Sequence, residues 1–130
     1  MQNLSKEAQT QVFKQKVWKT TTADGYFSDF VITRDGRCLY PGCIEKKRLD
    51  CSHFWPRGMK RTRFDPLNCI ALCRDHHTVW EKRKNFEYKE FMLRLLGKEK
   101  YDALEKRART MMKIRDAVIH WMDKHEKLNG

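Results

Sequence analysis

A small α+β domain, stapled by a metal ion and flanked by helices, is the fold this sequence predicts, and three observations predict it. Two short segments of strand character, "RLDCSH" (residues 48 to 53) and "LNCIALC" (residues 67 to 73), bracket a basic loop and lead straight into a helix. Candidate metal ligands sit around them in two close pairs, Cys38-x4-Cys43 and Cys73-x2-His76. Helical patterns fill most of both ends. With 130 residues the chain suits one domain with a modest core, the size at which a staple matters most.

In chain order, residues 4 to 18 read as a short amphipathic helix, broken by "TTTADG" at residues 20 to 25; residues 1 to 25 are thus an N-terminal helix and linker. "YFSDFVIT" (residues 26 to 33) is aromatic and β-branched, so it is either extended or a short helix before the turn "RDGR". "CLYPGC" then places a Pro-Gly turn between two cysteines. The strands follow, separated by the loop "FWPRGMKRTRFDP", and a helix starts near Arg74; residues 26 to 84 form the core unit. Asn85 is a candidate N-cap for "FEYKEFMLRLLG", which ends at Gly97. Residues 99 to 128 read as one long helix. Its stripe of Tyr101, Leu104, Ala108, Met111, Val118 and Met122 is interrupted by Arg115. Residues 85 to 130 are accordingly a C-terminal helical part, whose stripe packs on the domain's own core or, alternatively, forms a partner or homodimer surface.

The charge points to a polyanion. Lys and Arg number 28 against 17 Asp and Glu, a formal charge of +11. Residues 46 to 63 hold seven basic side chains (Lys46, Lys47, Arg48, Arg57, Lys60, Arg61, Arg63) and one acidic, Asp50. Neutralising phosphates releases counterions, so a polyanion is the expected partner, phosphate contacts alone not distinguishing DNA from RNA, and a merely solvated basic surface is the bland alternative. Trp55 on the same loop either packs against the loop base or wedges at an opened base step. No base-reading pattern of a recognition helix is present, so backbone or structure recognition is expected. The absence of an apolar run of about 18 residues argues against a membrane span. Five cysteines, an odd number without a secretory leader, suit a reduced, cytoplasmic protein in which cysteine binds metal.

Zinc takes four soft or borderline ligands in a tetrahedron, commonly as two pairs on tight turns. The Pro41-Gly42 turn lets Cys38 and Cys43 face one point, and a helix start puts Cys73 and His76 on one face. A structural Cys3His zinc is therefore expected. Cys51 and Cys69, inside apolar strands, read as small buried hydrophobes.

His53, Asn68 and His77 remain. The blocks "CSHFWPRG" and "RFDPLNCIALCRDHH" resemble the HNH, or ββα-metal, nuclease motif: a histidine ends the first strand, an asparagine opens the second, and a ligand follows in the helix. With "FSDFVITRDGRC" and "TRFDPLN" they more narrowly resemble the phage recombination proteins of the NinG family, also called Rap, over about residues 26 to 96. The resemblance implies a DNA endonuclease leaving 5′ phosphate and 3′ hydroxyl ends. His53 would be the general base, Asn68 would orient its imidazole, and His77 would hold a Mg²⁺ or Mn²⁺ ion. Many such motifs carry an aspartate where this chain has Ser52, a poor ligand. Asp50 or Glu81 is expected to replace it, with Glu81 favoured because it follows His77 by one helical turn. The competing class is a non-catalytic zinc module that binds DNA or scaffolds a phage recombination or packaging complex.

Overall fold

Leu49–His53 (β1) pairs antiparallel with Cys69–Cys73 (β2), Leu49 opposite Cys73 and His53 opposite Cys69, in a computed structural model that describes residues 16 to 129. Among the described residues five helices complete a small α+β fold: α1 (Thr20–Asp35), α2 (Arg74–Thr78), α3 (Asn85–Leu96), α4 (Lys98–Ala108) and α5 (Ile114–Asn129). β2 is buried from Cys69 to Leu72 because apolar clusters lie on both sides of it. Cys69 joins Ala23, Phe27, Val31, Phe64, Val118 and Trp121; Ile70 and Leu72 join Cys38, Trp80, Tyr88, Met92 and Tyr101.

The free edge of β2 is closed by the end of α1. Arg34 donates to the Cys69 carbonyl at 2.6 Å, Asp35 accepts from the Ala71 N–H at 2.8 Å, and the Leu39 N–H donates to the Ala71 carbonyl at 3.0 Å. These contacts satisfy backbone groups that would otherwise invite another strand. Gly36, at φ 71°, adopts the left-handed conformation that stops α1 at the expected turn.

Two expectations about helices are corrected. Residues 20 to 25 do not break a helix; they are the first turns of α1. Ala23, Phe27 and Val31, spaced by four, are buried against α5, and Phe27 meets Trp121 edge-on at 5.1 Å. Burying one such side chain is worth about 1.5–3 kcal/mol, more than the roughly 1 kcal/mol that Gly25 costs relative to alanine. The same packing makes residues 26 to 33 helical. The helix expected over residues 4 to 18 falls outside the described residues except for 16 to 18, which are irregular.

Residues 99 to 128 are not one helix but two, α4 and α5, separated by residues 109 to 113. Thr110 turns its hydroxyl back onto the Lys106 carbonyl at 2.8 Å, and the chain redirects so that α5 reaches α1. The stripe is divided accordingly. Tyr101, Leu104 and Ala108 are buried on α4 and Val118 on α5, whereas Met111 in the connection is 94% exposed. The stripe is therefore not one continuous seam, and Tyr101, Leu104, Ala108 and Val118 pack within the chain. Asn85 is the first residue of α3 without making a side-chain cap, and Gly97 ends that helix at φ 81° as expected.

Candidate metal centre and candidate active site

The donor atoms of Cys38, Cys43, Cys73 and His76 all lie within 4.8 Å of one another. His76 Nδ1 is 3.2 Å from Cys73 Sγ and 3.6 Å from Cys38 Sγ. Ligands on a tetrahedral zinc stand roughly 3.5–3.8 Å apart, so this group can hold a metal ion such as zinc. The local chain builds the group. Gly42 takes φ 85°, which allows the Cys43 N–H to close a turn on the Tyr40 carbonyl, and Arg37 ties the Cys38 and Cys43 carbonyls together. Cys73 precedes the first turn of α2, placing His76 beside it; the Tyr40 ring stacks on the imidazole at 3.9 Å. Burial pushes the Cys38 thiol up to about 11, so its sulfur keeps a proton until a cation displaces it.

A cavity of about 680 Å³ lies beside the other end of α2, lined among others by Asp24, Asp50, His53, Arg57, His77 and Glu81. His53 ends β1 and donates from Nε2 to the Arg63 carbonyl at 2.8 Å. That bond fixes the tautomer and leaves Nδ1 with a free lone pair. Burial, the largest influence, lowers the His53 pKa below its usual 6.5; nearby Arg57 acts in the same direction, while the bond to the Arg63 carbonyl opposes it. A neutral imidazole with an available lone pair is the form a general base requires.

His77 stands between two carboxylates, its Nδ1 3.1 Å from Asp50 and its Nε2 3.0 Å from Glu81. A metal-binding imidazole carries only one N–H, which one carboxylate can accept, leaving the other nitrogen and the other carboxylate to face a common cation. A spacing of 3.0 Å is close to the separation of neighbouring ligands on an octahedral Mg²⁺, about 3 Å. A hard divalent cation at this point would take one nitrogen and one carboxylate, and the other carboxylate would orient the ring, as acidic partners of metal-bound histidines do. Asp50 suits the orienting part, since it is the less exposed and is also 3.6 Å from Arg74; Glu81 suits the ligand part. Glu81 lies in a wide turn, Val79–Arg83, closed by the Lys84 N–H on the Val79 carbonyl. Such single-turn insertions are frequent at functional sites.

Three sequence-based assignments change. Ser52 is buried and its hydroxyl is engaged in a 2.8 Å hydrogen bond with the Tyr88 hydroxyl. The Asn68 side chain makes no hydrogen bond to His53. Its side chain accepts from the Trp55 N–H and donates to the carbonyls of Trp55 and Thr62, so it fixes the loop whose Arg63 carbonyl holds the imidazole. Arg63 is not a free cation for DNA: its guanidinium is paired with Asp24 at 2.7 Å and 3.0 Å. That pair was illegible in sequence, because Asp24 lay in a segment read as a linker.

Among the remaining basic residues, Lys46, Lys47, Arg48, Arg57, Lys60 and Arg61 are exposed. Trp55 packs at the loop base, edge-on to Phe54 and under the Arg109 guanidinium at 5.5 Å. No helix among the described residues is long and apolar enough to cross a membrane, and all five cysteines are free thiols. Comparison with known protein families, with curated proteins and with solved structures finds no match.

Proposed function

We propose that this protein is a metal-dependent DNA endonuclease of the HNH type, acting in recombination or on branched DNA as its resemblance to the NinG family suggests. The observation that carries the reading is one cavity containing both a histidine with a free Nδ1 and a histidine set between two carboxylates. His53 Nδ1 takes the proton of a water as its oxygen attacks phosphorus; the bond to the 3′ oxygen breaks, and that oxygen takes a proton from solvent water, leaving a 3′ hydroxyl and a 5′ phosphate. His77 and Glu81 hold Mg²⁺ or Mn²⁺, which when bound stabilises charge on the leaving oxygen. Asp50 orients His77, Asn68 positions the Trp55-to-Arg63 loop, and Arg57 at the cavity wall meets a phosphate. The exposed lysines and arginines of residues 46 to 61 hold the DNA backbone without reading bases.

The test is a cleavage panel with Mg²⁺, Mn²⁺ or chelator across duplex, single-stranded, D-loop and four-way DNA, with matched RNA in parallel. Metal-dependent nicking of a DNA substrate is expected. Binding without cleavage of any substrate would favour the non-catalytic zinc module, and cleavage of RNA alone would reassign the polymer.

A further inference from the structure

We infer that Cys51, His53 and Cys69 form a second site for a soft divalent cation, zinc above all, and that its occupation silences His53. Strand geometry brings the three together. Cys51 and His53 are two apart on β1 and share a face, and the antiparallel register sets Cys69 directly opposite His53. Their donor atoms all lie within 4.8 Å of one another, the same closeness that the Cys38, Cys43, Cys73 and His76 group shows. Two sulfurs and an imidazole are a soft donor set that selects zinc over Mg²⁺. Three protein ligands leave the fourth position open, and Cys51 and His53 both line the candidate active-site cavity from which an ion would arrive.

The consequence for His53 follows from its hydrogen bonding. Nε2 is committed to the Arg63 carbonyl, so only Nδ1 can ligate an ion. That is the lone pair a water must use. Zinc here and proton abstraction are mutually exclusive, which makes the site inhibitory; this part rests on reading His53 as the general base. The cation displaces one proton from each thiol, and two thiolates balance its charge. The second site offers three donors where Cys38, Cys43, Cys73 and His76 offer four, so the four-ligand group fills first and the second site responds to zinc in excess.

The experiment is a zinc titration of the full chain against a chelating indicator, followed in parallel by histidine ring ¹H–¹⁵N spectra. Wild type is expected to bind two equivalents, the second moving the His53 Nδ1 resonance and not those of His77. Cys51→Ala, at a half-buried position, is expected to weaken the second equivalent by at least about tenfold while retaining the first. One equivalent in wild type, or a second that leaves the His53 ring unmoved, would overturn the site whatever the variant does. Neither readout requires catalysis, so this inference and the nuclease reading fail separately: two equivalents with no cleavage leaves the site standing. Nicking by the wild type is expected to fall at least about tenfold as the second equivalent binds, and nicking that persists would remove the inhibitory role.

Discussion

Asn68→Ala is the substitution whose cost can be worked most directly from the structure. The side chain is fully buried and makes three hydrogen bonds, accepting from the Trp55 N–H at 2.8 Å and donating to the Trp55 and Thr62 carbonyls at 2.9 and 3.1 Å. Alanine removes all three and leaves the Trp55 N–H and the Trp55 and Thr62 carbonyls without these partners. At about 1 kcal/mol per bond, with a further 1–2 kcal/mol for a buried carbonyl left alone, the loss is about 4–5 kcal/mol. Against a total stability of roughly 5–15 kcal/mol this is a large fraction. Urea denaturation followed by tryptophan fluorescence should show the midpoint falling with little change in slope. The Arg63 carbonyl depends on the same loop, so nicking should fall as well. A loss below about 1 kcal/mol would refute the view that Asn68 fixes the loop.

The pH dependence of stability has a definite sign. Burial lowers the folded His53 pKa below 6.5, so between that value and 6.5 the unfolded chain binds more protons. His53 therefore contributes stability that is present above pH 6.5 and lost as pH falls through the folded pKa; His53→Gln should flatten that part of the profile in urea melts. The pH–rate profile of nicking should carry its acid limb below pH 6.5 for the same reason. Cys73→Ser should lose zinc binding at the Cys38, Cys43, Cys73 and His76 group and several kcal/mol of stability in the zinc-loaded protein, whereas His77→Ala should stay folded and become inactive; equal melting temperatures for the two would contradict the separation of roles. Gly25→Ala should stabilise by about 0.5–1 kcal/mol, because the position is helical and an added Cβ meets nothing within 4 Å; a lowered melting temperature would count against the packing described for α1.

Legibility in the sequence followed the range of the interactions. The strands, the turn at Gly36, the stop at Gly97 and both halves of the Cys38, Cys43, Cys73 and His76 group depend on neighbours within a few residues, and each was readable. α1 was misread because three threonines and a glycine argue locally against a helix, while Trp121 and Val118, about 90 residues away, argue for it. The division of α4 from α5 carries no glycine or proline; it is enforced by the need of Trp121 to reach Phe27. In the candidate site, His53 and His77 stood out by residue type. Their partners did not, since the Arg63 carbonyl is a backbone atom and Asp24 reaches the site only through the packing of α1.

The central claim is that His53 is the base of a metal-dependent nuclease. Single-turnover nicking of the preferred DNA substrate in Mn²⁺, compared between wild type and His53→Ala with DNA affinity measured alongside, tests it most directly. The expected result is nicking by the wild type and a loss of at least about 100-fold in the variant, with affinity unchanged within about twofold. Equal rates for the two proteins, or no cleavage by either, would contradict it.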